Sequence, residues 1–583
     1  MRSRAWLFLP LALMSLPLAC SRGGPSPASS AAPVVAAPAS LATRLDELLA
    51  EGWKKKGVSP TPLVDDATFL RRASLDLLGV LPPPESIAPF EKDTRADKRA
   101  RLVDDMLKDP RFSDRFANVW TELLLGEARM KDGVDRASFR SWLRARMVER
   151  APWDAIVREI VASEGRNSPG GAVVARGIAA MSTAVPPEEK GVHGAVNYPL
   201  RYRTMVEDLA GKTSRTFLGI QIQCAQCHDH KTESWTMADF RGFAAAFVKT
   251  RAVLEGDREK GEMLVYEVKD VPKAKLGPRA SDAVRAIADV PPRALDGTKL
   301  DAGEPRKALA AWMTSPKNPT FAKAFVNRAW AGLLGAGFVT PVDDFRPGNP
   351  VDLPEALDLL AADFVTGGFD VRRLVRSICL SAAYQRSAGP PAALWASFAL
   401  RPLPADVLLD AVLSATGLGP LVEEVAGERA DLVRARTRQR FALVLDVDED
   451  AGTHRFEGSI AHALLLSNGV VTRVGASAVE GGALEKLLHG PGTDDQKIDE
   501  LYLRTLSRRA TDEERARAKQ LLAAAGPGKG EAPAAPAGGA ANKADPLAKI
   551  AKRLRSTAKL AREQAYEDLF WALLNASEMA LQH

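Results

Sequence analysis

Apolar positions recur at intervals of three and four along most of this chain, the period of a helix with one buried face. Leu45, Leu48, Leu49 and Trp53 form one such stripe, and Phe69, Leu70, Ala73 and Leu77 another. Leu102, Val103, Met106 and Leu107 follow, then Phe116, Val119, Trp120, Leu123 and Leu124, then Phe139, Trp142, Leu143 and Met147. Pro82-Pro83-Pro84, Asp109-Pro110 and Ala151-Pro152 punctuate these stripes, because proline lacks the amide donor that propagates a helix. Stripes resume later with Phe321, Phe325, Val326 and Trp330, with Leu357, Leu360, Ala361 and Phe364, and with Leu374, Ile378 and Tyr384. Tyr566, Leu569, Phe570, Leu573 and Leu574 close the chain.

Three stretches break the pattern. Gly165 to Pro199 is rich in glycine, proline and small residues and reads as a long irregular loop, followed by a helix over Tyr202–Leu218. Met263 to Val268 alternates, with Leu264, Tyr266 and Val268 set against Glu267, which predicts a strand. Residues 523–542 are a low-complexity Ala/Gly/Pro excursion, and Thr511 with Glu514 is a capping-box signature for the helix before it. The expected fold is therefore mainly α: two helical domains, 42–250 and 306–583, with a small β-containing insertion at 251–305 between them.

The N-terminus reads as an export segment. Arg2 and Arg4 precede an apolar run from Ala5 to Ala19, too short to span a bilayer comfortably. The run ends Leu16-Pro17-Leu18-Ala19-Cys20, which resembles a lipoprotein lipobox apart from Pro17 and marks Cys20 for lipidation. Residues 1–20 are then a signal peptide, and 21–41 a small, Pro-rich linker between lipid and folded body. The expected location is exported: periplasmic, or on the outer membrane as a lipoprotein held through its N-terminal lipid.

Composition narrows the rest. At 583 residues with 46% hydrophobic and 26% charged positions, the chain is globular and long enough for two to four domains. Lys+Arg 79 against Asp+Glu 73 leaves only +6, spread along the chain, which gives no case for a nucleic-acid partner. The basic run Lys549, Lys552, Arg553, Arg555, Lys559 and Arg562 is at helical spacing and reads as a solvated face.

One segment carries chemistry: Gln223-Cys224-Ala225-Gln226-Cys227-His228-Asp229-His230. Cys-x-x-Cys-His is the attachment signature of c-type haem. Two cysteines three apart form thioethers to the two vinyl groups, and the adjacent histidine gives the iron an imidazole. Covalent haem attachment outside the cytoplasm agrees with an export segment. Cys224 and Cys227 are thus the candidate haem c attachment points, with His228 as iron ligand. The rivals are a Cys224–Cys227 disulfide, a zinc site of Cys224, Cys227, His228 and His230, and a local turn with no ligand. Met237, Met205 and His193 are candidates for a second axial ligand, and five-coordinate iron is the alternative.

Elsewhere the chemistry thins out. Cys379 sits in an apolar stripe and reads as a buried thiol. His454, His462, His489 and His583 have no ligand spacing, and Asp229, Asp343 and Asp344 read as caps or ion-pair partners before acid–base groups. No nucleophile elbow, phosphate loop, His-Glu-x-x-His or dinucleotide fingerprint is present, so no catalytic constellation marks an enzyme.

The segment from Phe217-Leu218-Gly219-Ile220-Gln221 through Cys224 to His230, with Trp235 and Phe240-Arg241-Gly242-Phe243-Ala244-Ala245, resembles the core of the planctomycete cytochrome-c-like domain of unknown function. Asp66 to Arg72, Asp76 to Gly79 and Lys98 to Leu102 resemble its opening helices. Phe325 to Trp330, Pro341 to Arg346, Leu380 to Gln385, Tyr502 to Arg509 and Trp571 to Glu578 are similar to the companion domain that follows it in these secreted proteins. Two departures stand out. The family runs on to Pro-Phe after the Asp-His step, whereas Lys231 and Thr232 follow His230. The companion's Arg-Thr-rich stretch before a Leu-Asn-Asp step reads here as His454-Arg455-Phe456 and Leu466-Ser467-Asn468. The resemblance implies a mostly helical exported protein and supplies no reaction. Cofactor and compartment together suggest electron transfer or a redox role with an envelope partner. A non-redox envelope module, holding a partner or a polysaccharide, is the alternative.

Overall fold

A computed structural model describes residues 40–126, 133–181, 185–202, 205–229, 233–257, 259–273, 276, 280–445, 469–525 and 561–583. The export segment with Cys20, nearly all of the linker, His230, His454, His462, most of the low-complexity stretch and most of the basic run lie outside those residues.

The fold is mainly α, and the prolines that punctuate the sequence mark where helices begin. Pro110 opens α5 (Pro110–Leu125), Pro319 opens α14 (Pro319–Leu334) and Pro354 opens α15 (Pro354–Thr366). At the first helical position the missing amide would have had no partner anyway, so proline costs nothing there. Asp109 and Asn318 cap the first two of these, accepting from the amides of Arg111 and Thr320. The capping box expected at Thr511 and Glu514 is present and starts α23 (Asp512–Ala524).

Among the described residues, two apolar cores hold these helices together. The first gathers buried residues from Leu45 to Phe398. Its centre is aromatic: Trp153 of α7 (Trp153–Ala162) lies 4.4 Å from the Trp120 ring of α5 and 4.6 Å from the Phe325 ring of α14. Phe325 in turn stacks on Phe364 of α15 at 5.0 Å. This core runs across the boundary that the sequence suggests near residue 305. The second gathers Leu403 to Met579 and takes in Leu75 and Leu81.

Arg71 and Arg72, in α2 (Asp66–Ala73), are buried where the two cores meet. Arg71 donates to the carbonyls of Thr505 and Glu578, and Arg72 to those of Tyr384, Arg386 and His583. Arg72 also lies 3.5 Å from the Phe398 ring centre. Burial pulls both guanidinium groups down to about 10, and their charge is met mostly by backbone carbonyls.

The irregular loop expected over Gly165–Pro199 contains more order than its composition suggests. Gly165–Arg166 is strand β1, Val173–Met181 is helix α8, and Asn197–Arg201 is helix α9. What organises this stretch is buried polar chemistry. Asp135, fully buried, accepts from Ser168 Oγ at 2.6 Å and from Arg176 Nε of α8 at 2.8 Å. Asn197 Oδ1 accepts the Asp135 amide, and Asn167 Oδ1 accepts the Tyr266 amide. The strand expected around 263–268 is β3 (Val265–Asp270), the middle of an antiparallel sheet ordered β1-β3-β2 with β2 at Thr250–Glu255. Among the described residues no single helix is long and apolar enough to cross a membrane.

Candidate functional site

The Cys-x-x-Cys-His segment hangs from the end of α10 (Val206–Leu218), which starts four residues later than the sequence suggests. Gly219 ends the helix in the left-handed conformation, φ 68°. Ile220 is tied back by Ser214, whose hydroxyl donates to the Ile220 carbonyl at 2.8 Å. Gln221 donates to Asp343 Oδ1 at 3.2 Å, and Ile222 is buried. Gln223 lies against Gly211, so closely that a Cβ there would meet its side chain at 2.2 Å. The chain then makes a 3-10 turn, Gln223–Gln226.

That turn decides which way each side chain faces. With three residues per turn, positions three apart eclipse one another. Ile222 and Ala225 share the inner face and are buried in the first core. Cys224 and Cys227, also three apart, are both exposed and both are free thiols. His228 follows them into solvent, and its Nδ1 lies 2.8 Å from the carbonyl oxygen of Asp229. A carbonyl can only accept, so Nδ1 is the donor, which in the neutral ring leaves the lone pair on Nε2. The Asp229 carboxylate accepts the Met237 amide at 2.8 Å, at the first residue of α11 (Met237–Ala244). Thr236 and Asp239 close a capping box on the same helix end.

The other candidates are scattered. The Met237 sulfur is 3.8 Å from Arg241 Nη2, and Met205 precedes α10, 39% exposed. His193 belongs to a different neighbourhood, 3.8 Å from Glu159 and beside the Trp142 ring. Cys379 is buried as expected, and burial pushes its thiol well up. His489 is exposed beside Glu485, and burial pulls His583 down to about 4. Asp344 pairs with Arg346 at 3.2 Å. Among the described residues no group of three or more His, Cys, Asp or Glu side chains is gathered to hold a metal ion. His230, the remaining ligand of the zinc alternative, lies outside them.

Asp343 is the residue whose place is least visible in the sequence. It is buried and accepts from Arg215 Nε of α10 at 2.6 Å as well as from Gln221. A residue more than a hundred positions downstream therefore braces both the helix and the loop that present the cysteines. The sequence marks Asp343 as a cap or ion-pair partner, which it is, but nothing near it names Arg215 or Gln221 as the groups it meets.

Two family models match the chain in succession. Residues 44–252 match PSCyt2, a protein of unknown function (DUF1549), and residues 305–455 match PSD1, also a protein of unknown function (DUF1553). The chain belongs to the family of proteins that carry this pair in this order. The cysteine segment falls in the first match, and Asp343, which braces it, falls in the second. No curated protein and no solved structure matches the chain.

Proposed function

We propose that this protein carries one c-type haem on Cys224 and Cys227, with His228 as iron ligand, and passes electrons at the cell envelope. The observation that carries the reading is the orientation of the segment. Two free thiols three residues apart face solvent together, next to an imidazole whose Nε2 lone pair is available. In attachment each thiol S–H adds across one vinyl C=C, so nothing is lost and no oxidant is consumed. The bound group would supply reversible one-electron chemistry at iron. The chain's own part is to hold the thiols outward on the Ile222 and Ala225 anchor and to keep Nδ1 protonated.

An exposed attachment segment fits a partner that meets the haem edge directly, so the partner class is a second envelope redox protein. The export segment and Cys20 support a lipid-held, exported location for the same role. The test is expression with haem-maturation machinery in an exporting host, followed by haem staining after denaturing gel electrophoresis. Stain that survives denaturation in the parent chain and vanishes in Cys224→Ala/Cys227→Ala is the expected result. A colourless chain with stoichiometric zinc, or one lacking the two thiol hydrogens by mass, overturns the haem reading in favour of a metal site or a disulfide.

A further inference from the structure

We infer that Asp229 is the positioning residue for the His228 imidazole, acting through its backbone and side chain at once. This deepens the haem reading and rests on it for its meaning, although the hydrogen bonds themselves belong to the unloaded chain. The Asp229 carbonyl lies 2.8 Å from His228 Nδ1, and the Asp229 carboxylate accepts the Met237 amide at 2.8 Å. The first amides of a helix have no partner within it, so Met237 is a donor in need of one. The carboxylate that satisfies it fastens Asp229 to the end of α11. That helix end is independently locked by the Thr236–Asp239 capping box. Phe240 and Phe243 of the same helix are buried in the first core.

The consequence runs back along the chain. His228 and Asp229 are both exposed, so the ring and the carbonyl that it faces are not held by burial in the core. Among the described residues, the side-chain anchor at Met237 ties Asp229 to the folded body. A fixed acceptor at Nδ1 selects the tautomer with Nε2 free, which is the form a metal ligand needs. Without the anchor the carbonyl swings away, and an isolated imidazole prefers the proton on Nε2.

The experiment compares Asp229→Ala and Asp229→Asn in the full chain. Asn keeps a carbonyl oxygen for the Met237 amide and drops the charge, so it separates hydrogen bonding from electrostatics. In unloaded protein, nitrogen NMR of the His228 ring above its titration range reads the tautomer directly, with a His228 variant to assign the signal. The parent and Asp229→Asn are expected to show mainly the Nδ1–H form, and Asp229→Ala mainly the Nε2–H form. In haem-loaded protein, Asp229→Ala is expected to gain high-spin signal and a raised reduction potential, with the spin state restored by Asn. An Asp229→Ala chain with the parent's tautomer and spin state overturns the inference. A parent chain that takes up no haem sinks the haem reading instead, and the tautomer measurement still decides the role of Asp229.

Discussion

Phe345 packs against Gly219. Its amide donates to the Gly219 carbonyl at 2.8 Å, and a Cβ on that glycine would come within 2.4 Å of the ring. The contact joins the segment matched by the second family model to the residue that ends α10 and launches the cysteine turn. Gly219 is thus constrained twice, by its left-handed backbone and by the ring above it.

Replacing Gly219 tests both constraints. Gly219→Ala adds a methyl where the ring sits and forces φ 68° on a residue with a Cβ. The expected loss is about 2–4 kcal/mol, combining overpacking with left-handed strain. Urea unfolding checks it. Pairing the substitution with Phe345→Ala should recover roughly the steric half of the loss and leave the conformational half.

Asp343→Ala should loosen the presentation of the cysteines without touching them. It removes a buried carboxylate from Arg215 and Gln221, at a cost of ~1–3 kcal/mol for charged hydrogen bonds. Covalent haem yield per folded chain should fall, while Asp343→Asn, which keeps an acceptor for Gln221, should fall less. Equal yields in all three proteins would remove Asp343 from the account of the site.

The local part of this site was legible and the distant part was not. Cys-x-x-Cys-His is a five-residue matter, and the helical stripes around Trp120, Phe325 and Leu360 follow from period alone. Asp343 lies 122 positions from Gln221, and only the folded chain brings them together. Helix α8 escaped for a related reason. The glycine and proline content around it argues for a loop, and what orders it is Arg176 reaching the buried Asp135. Buried polar pairing of this kind leaves no periodic trace.

Arg72 offers a test of the junction between the cores. Its guanidinium is fully buried, faces Phe398 and feeds three carbonyls. Arg72→Met preserves much of the volume and strands those carbonyls, so the expected loss is about 3 kcal/mol or more. Thermal unfolding should show a large drop in midpoint. A variant within a degree or two of the parent would mean that water replaces the guanidinium without cost.

Acid stability should reflect two half-buried groups that pull in opposite directions. Burial holds His583 at about 4 in the folded chain against 6.5 as its ordinary value. Between those values the unfolded chain binds the extra proton, so this stabilisation is fully present above pH 6.5 and is lost as pH falls toward 4. Burial raises Asp410 from 3.8 to about 6, despite Arg438 at 3.2 Å. In its window the folded chain holds the extra proton, so Asp410 favours folding more strongly as pH falls from 6 to 3.8. The two slopes largely cancel between pH 6 and 4, and the parent's unfolding free energy should be nearly flat there. His583→Gln should expose the Asp410 slope, with stability rising on acidification by ~2 kcal/mol across the window. Asp410→Asn should do the reverse and leave a chain that weakens steadily from pH 6.5 downward. Denaturant titrations at half-unit pH steps decide the matter, and parallel curves for parent and both variants would show that neither group is held as its burial demands.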